Sequence, residues 1–417
     1  MNNNITKCLP AAWLLLALTQ SGTVRAGDND AFSLVTSASW QYLDNVLYLP
    51  DGDKPTFFGP DAPRADYSYS ASVGLSFDKR IGRQQLSANA SQNMTRYNDL
   101  NQLDNDGHNA SANWKWELGN DLSGQLRYTN RRYMQGFADF RTTSPTKNLV
   151  TSETWRFDGA YKIDAFWALF GALSRDSFQN SVASRRGNDY DIDRFEAGAR
   201  YTTRGGTAFE LLGRRSEGDY PNRLPSFNAT NSFSQKDIEA RVRWQLLGHS
   251  KVSASLGQSE RKHDNLPERD YEDVYGRVTW DWAPNGHINV NLFAERQISA
   301  LDDLVSSYFR TTTYAIAPTW QYSGKLRFDG RVQWVSRDGS GQTVLSLLTP
   351  TQQLQLFGVV LSGPRQEDIR TYSLGATWLL QHNFSANAEL RHDQRDSNNE
   401  FYQYDVNSVS MSLQYVF

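Results

Sequence analysis

Apolar and polar residues alternate with a period of two along most of this chain. Tyr67, Tyr69, Ala71, Val73, Leu75 and Phe77 are separated by Ser68, Ser70, Ser72, Gly74 and Ser76. The same rhythm carries Ile238, Ala240, Val242 and Trp244, and later Val409, Met411, Leu413, Tyr415 and Phe417. Successive side chains of a strand point to opposite faces, so each such segment has one apolar and one polar face. About eighteen segments carry the pattern: 32–42, 67–77, 85–97, 108–116, 122–133, 153–161, 166–178, 191–201, 208–216, 235–246, 251–261, 271–282, 288–299, 307–322, 326–338, 368–379, 384–395 and 404–417. Their connections alternate between short (117–121, 162–165, 247–250, 283–287, 323–325) and long (43–66, 134–152, 217–234, 339–367). Tight turns on one side and free loops on the other are what an antiparallel meander through a bilayer produces. The predicted fold is all-β: a transmembrane up-and-down antiparallel β-barrel of about 18 strands (16–18), closed because only closure satisfies every backbone amide in hydrocarbon.

Strands running toward the short connections end in an aromatic on the apolar face. These are Phe77, Trp116, Tyr161, Tyr201, Trp244, Trp282, Tyr322, Trp378 and Phe417. Aromatic rings favour the headgroup level, so the nine predict one interfacial girdle on the short-turn side. Short turns are periplasmic in outer-membrane barrels, and an even strand count returns both termini to that side. Tyr415 and the terminal Phe417 resemble the end of a strand read by the barrel assembly machinery.

Composition agrees with a barrel and excludes its rivals. Hydrophobic residues make up 39% of the 417, and mean hydropathy is −0.63. Past the N-terminus no stretch approaches the 18 apolar residues of a membrane helix. With 12 Trp, 20 Tyr and 21 Phe the chain is too aromatic to be disordered. Near balance of 43 basic and 46 acidic residues argues against nucleic acid as a partner. Residues 1–26 read as a secretory signal, with Lys7, an apolar run Leu9–Leu18 and Val24-Arg25-Ala26 at the cleavage site, leaving 27–417 as the barrel. The single cysteine, Cys8, falls inside that signal, so no disulfide stabilises the exported chain. The expected location is the Gram-negative outer membrane after general secretion, with lipid, lipopolysaccharide and the assembly machinery as partners.

The polar faces predict what the lumen presents. Candidate lining residues are Lys115, Arg127, Arg156, Arg194, Glu196, Arg200, Glu210, Glu239, Arg241, Arg243, Arg277, Asp281, Glu295, Arg327, Asp329, Arg331, Glu389 and Arg391. Opposite charges on adjacent strands serve to hold a hydrated barrel open, and they also offer a polar conduit in which arginine favours anionic groups. The loop 339–367 is apolar at its centre, Thr343–Leu361, and is the candidate for a constriction folded into the lumen; its alternatives are strand extension above the membrane or a partner contact. Asp219-Tyr220-Pro221-Asn222-Arg223 is a turn former. Six histidines lack ligand spacing, His392 and Asp393 point to opposite faces, and no nucleophile elbow or phosphate loop occurs; no enzyme, metal or cofactor is expected.

Several stretches resemble the EpsL-type outer-membrane proteins of exopolysaccharide operons, within a broader group of β-barrel porins. They are Arg96-Tyr97-Asn98-Asp99-Leu100 with Leu103-Asp104, Asn113-Trp114-Lys115-Trp116, Phe137-Ala138-Asp139-Phe140, Asp189-Tyr190-Asp191 with Glu196-Ala197-Gly198-Ala199-Arg200-Tyr201, and Glu217-Gly218-Asp219-Tyr220-Pro221-Asn222-Arg223. The resemblance implies a passive conduit in the making or export of an exopolysaccharide, with that polymer and periplasmic export proteins as further partners. The alternatives are a general diffusion porin for small hydrophilic solutes and a non-conducting structural or adhesive barrel.

Overall fold

The computed structural model describes residues 31–138, 146–223, 230–246, 249–299, 308–340, 349, 351–352 and 364–417. The predicted signal segment and most of the centre of the loop 339–367 lie outside these residues. Eighteen strands form one sheet: β1 (Phe32–Leu43), β2 (Asp66–Ile81), β3 (Gln84–Tyr97), β4 (Asn105–Leu118), β5 (Leu122–Met134), β6 (Leu149–Lys162), β7 (Trp167–Asn180), β8 (Tyr190–Thr202), β9 (Ala208–Asp219), β10 (Ser232–Leu246), β11 (Ser250–His263), β12 (Tyr271–Trp282), β13 (Ile288–Ser299), β14 (Tyr308–Gln321), β15 (Leu326–Ser340), β16 (Gln366–Gln381), β17 (Phe384–Ser397) and β18 (Tyr404–Val416). Each pairs antiparallel with its sequence neighbour. β18 returns to β1, with Val35 opposite Val416 and Leu43 opposite Ser408. The Phe417 amide donates to the Leu34 carbonyl at 2.8 Å and fastens the seam. The result is a closed 18-strand antiparallel barrel.

The predicted segments and the strands coincide in number and order. Several strands run further toward the loops than the alternation showed, β6 starting at Leu149 and β10 at Ser232. Connections after even-numbered strands are all tight, such as 82–83, 203–207 and 382–383. The other side is less uniform than expected. The connections 98–104, 264–270 and 398–403 are short too, each closed by a 3₁₀ turn (Asn101–Leu103, Pro267–Arg269, Glu400–Tyr402) that joins two strands without an excursion. The 219–223 segment is a turn, Arg223 N–H reaching the Tyr220 carbonyl at 3.1 Å.

The apolar faces point outward. Leu374 and Ile238 are 68% exposed and Leu256 64%, a surface that water would not tolerate and hydrocarbon requires. The band has a regular height. Outward residues stay apolar or small from Tyr161 to Trp155 and turn polar at Glu153, eight positions from the girdle. Trp167 and Arg175, Tyr201 and Asp193, and Trp244 and Lys236 repeat the interval. Eight residues at about 3.3 Å each, on a strand tilted by about 40°, span about 20 Å of membrane, near the usual height of such a band. Among the girdle aromatics Tyr161, Trp244, Trp282, Tyr322 and Trp378 are exposed on this face, and Phe77, Tyr201 and Phe417 are half-buried. Trp116 is buried instead. Its partners across the sheet are Gly124 and then Gly159, so the indole lies flat on bare backbone, with the Phe157 ring stacked at 5.9 Å and 13°.

Packed apolar residues gather at the loop end, not in the wall. Val46, Leu47 and Leu49 from the first loop meet Leu100 and Leu103 from the second and Phe137 from the third, over the strand ends at Leu43, Tyr97 and Met134. Buried Asp66 fixes this knot by accepting from the backbone N–H groups of Asp99 (3.0 Å) and Leu100 (2.9 Å). Asn45 adds bonds to the Leu49 and Asp405 carbonyls at 2.8 and 3.2 Å. Burial of five aliphatic side chains makes the knot a folded unit, each worth about 1.5–3 kcal/mol on removal from water.

Candidate lumen and its charged wall

Cross-strand register places the candidate residues on the inner face. Lys115, Gln125 and Asp158 are successive partners across β4, β5 and β6; Arg200, Glu210 and Arg241 are successive partners across β8, β9 and β10. A cavity of about 1140 Å³ runs along this wall. Among its lining residues are Lys115, Arg127, Arg156, Glu196, Arg200, Glu210, Glu239, Arg241, Arg243, Arg277 and Glu295. Arg194 lines a recess beside it. Asp281, Arg327, Asp329, Arg331, Glu389 and Arg391 share the inward face of β12, β15 and β17 but do not border that cavity.

On β6–β10 the charges are layered. Glu196, Glu210 and Glu239 are 6–7% exposed, whereas the arginines around them keep from 21% (Arg214) to 55% (Arg243) of their side chains open. Arg156 Nη1 donates to Glu196 at 2.9 Å, and Arg200 Nε to Glu210 at 2.6 Å. Arg243 also pairs with Glu210. Arg241 donates to Glu239 through Nε (2.8 Å) and Nη2 (3.1 Å) and lies 3.8 Å from Glu210. Arg214 sits between Glu196 and Glu239, 3.5 Å from each, and the Tyr275 hydroxyl donates to Glu239 at 3.1 Å. The carboxylates are thus used up against the wall, and the surface that a solute meets is guanidinium. The layering comes from cross-strand packing that alternation does not encode.

Elsewhere the inner face is milder. Arg277 pairs with Glu295, Arg327 with Asp329 at 3.0 Å, and Arg391 with Asp393 at 2.6 Å. Asn291 donates to Asp281 at 2.7 Å, and Arg331 Nε to Gln333 at 3.0 Å. Strands half a ring from β9–β11 are rich in hydroxyls: the Ser37 and Ser72 hydroxyls lie 2.7 Å apart, and those of Ser70 and Thr95 2.8 Å. An arginine wall therefore looks across the lumen at a serine wall. Phe170, on a strand that reads apolar on both faces, points inward with the Arg200 guanidinium 5.4 Å above its ring.

The constriction predicted in 339–367 falls outside the described residues over most of its centre. The inward-reaching element that is described belongs to the third loop. The Ala138 carbonyl accepts from Arg395 Nη1 of β17 at 2.9 Å, so this loop crosses the mouth above β18 and β1–β4. Arg395 is 2% exposed, with the Tyr404 ring 4.8 Å below its guanidinium and Glu367 at 3.5 Å. Nothing in the periodic pattern marks that contact.

The described residues hold no cluster of metal-ligating side chains and no helix long and apolar enough to cross a membrane. His392 bonds Asn407 at 2.9 Å while Asp393 binds Arg391 and Thr371, as opposite faces require.

No family model matches the sequence, and no curated protein matches it. The resemblance to EpsL-type proteins therefore rests on the segments quoted above alone. Solved structures do match. The outer membrane protein OpdK from Pseudomonas aeruginosa is 12% identical, with 93% of this chain and 98% of that one covered and a TM-score of 0.49. OccK2 (OpdF) from the same organism gives 13%, 93% and 98%, with 0.49. OccAB3 from Acinetobacter baumannii gives 10%, 93% and 99%, with 0.46. At this distance the likeness concerns the barrel and carries nothing about solute.

Proposed function

We propose that the chain is a passive channel of the Gram-negative outer membrane, selective for small hydrophilic anions. Both termini and the short turns face the periplasm, and the loop knot faces outward. The layered wall carries this reading: guanidinium groups stand in the lumen over carboxylates that are already neutralised. An anion passes from one arginine to the next without any single site holding it long, which conduction requires. Export of a polysaccharide, implied by the EpsL-like segments, is the less favoured use, because a polymer must clear a mouth that the knot and the Arg395–Ala138 link narrow.

Flux into proteoliposomes tests the proposal. Labelled small carboxylates should enter faster than neutral sugars of the same size, and these faster than quaternary ammonium ions. Equal entry of carboxylates and sugars, or fastest entry of the cation, would overturn it.

A further inference from the structure

One part of the arginine wall is more specific than a track for anions needs to be. A recess of about 410 Å³ opens between β6 and β11, lined by Arg156, Arg194, Arg214 and Arg261 together with Glu196 and Asp237. Asp237 is 3% exposed. Its Oδ1 accepts from the Gln235 side-chain amide at 2.9 Å, and the Gln235 oxygen accepts from Arg261 Nε and Nη2 at 2.8 and 2.6 Å. Arg261 is itself clamped over the Phe233 ring at 3.8 Å. This relay fixes the carboxylate plane. The other oxygen, Oδ2, has no hydrogen-bond partner; the nearest cation, Arg214 Nη1, is 3.6 Å away, beyond hydrogen-bond reach. A buried carboxylate oxygen without a donor, on the wall of a recess that carries four arginines, asks for one.

We propose that this recess is a solute subsite for an oxyanion that carries its own O–H donor, the charged oxygens facing Arg194 and Arg261 and the hydroxyl donating to Asp237 Oδ2. An anion of the same size without a donor sets an oxygen lone pair against the carboxylate and is rejected, the stronger form of selectivity when a buried polar group is left unpaired. The subsite rests on the anion-channel reading and sharpens it from charge to chemistry.

Block of potassium chloride current through the reconstituted full barrel near pH 7 tests it with two matched pairs of probes. Phosphate, protonated at this pH, is compared with sulfate, and glycolate with acetate. Phosphate should block at several-fold lower concentration than sulfate, or glycolate than acetate, and the pair that responds names the source of the hydroxyl. Asp237→Asn, which offers a donor in place of the acceptor, should erase the preference while chloride current persists. Equal block within both pairs by the unaltered protein, which needs no variant to fold, would overturn the subsite; so would a preference that survives Asp237→Asn. A cation-selective current would instead remove the channel reading beneath it, and the two failures are told apart by the sign of the reversal potential.

Discussion

Arg395 on β17 and Ala138 in the third loop, 257 residues apart in sequence, are joined by a 2.9 Å hydrogen bond across the mouth of the barrel. A buried guanidinium bonded to a backbone carbonyl is an anchor that the loop cannot replace from solvent. Arg395→Ala should release the third loop at a cost of about 1–3 kcal/mol to the knot. Single-channel conductance is expected to rise and protease to cut near 138, with the barrel intact. An unaltered current and cleavage pattern would show that the link does not hold the mouth.

Glu210 is the counter-charge of three arginines. Glu210→Gln removes the carboxylate that Arg200 and Arg243 share and leaves Arg241 to Glu239 alone, so anion preference should increase while thermal stability falls by about 1–3 kcal/mol, discounted from the figure for fully buried pairs because these arginines remain partly hydrated. Reversal potential and heat-modified gel mobility report the two effects separately. Loss of anion preference would contradict the layered wall.

Trp116 has room only because Gly124 has no side chain. A Cβ there would run into the Asp158 carbonyl and the Trp116 ring. Gly124→Val is expected to displace the indole and cost about 1–3 kcal/mol, the usual range for overpacking. Tryptophan fluorescence should shift as Trp116 meets lipid or water, and an unchanged spectrum and stability would refute the packing.

The turn between β6 and β7 depends on Asp164, whose carboxylate accepts from the backbone N–H groups of Phe166 (2.7 Å) and Trp167 (2.8 Å). These bonds favour the ionised form and hold its pKa below the ordinary aspartate value. A folded pKa below the unfolded one means that the contribution is complete above the ordinary value and is lost as pH falls through the lowered one. Protection of the Trp167 amide, taken relative to its intrinsic exchange rate at each pH, should therefore hold down to about pH 4 and fall only in more acid solution. Loss of that protection already near neutral pH would contradict the assignment.

Much of this architecture is legible without coordinates because a barrel strand repeats its instruction every second residue. That repetition located all eighteen strands and put Glu210, Arg241 and Arg391 on the inner face. Loops carry no such repetition. Leu47, Leu100 and Phe137 look like scattered apolar residues until the fold brings them together, and Arg395 is not among the lining candidates at all. The burial of Trp116 is hidden for a related reason: it depends on glycines that belong to two other strands. The order of charge along the lumen wall, arginine in front and glutamate behind, likewise depends on side-chain lengths meeting across β8, β9 and β10.

The reversal potential across a planar bilayer with a gradient of potassium chloride tests the central claim most directly. A wall of exposed guanidinium over buried carboxylates predicts a potential of the sign set by chloride, diminished when Arg241 and Arg243 are replaced by alanine. A potential of the sign set by potassium, or no conductance from barrels shown to be folded and inserted, would contradict the account.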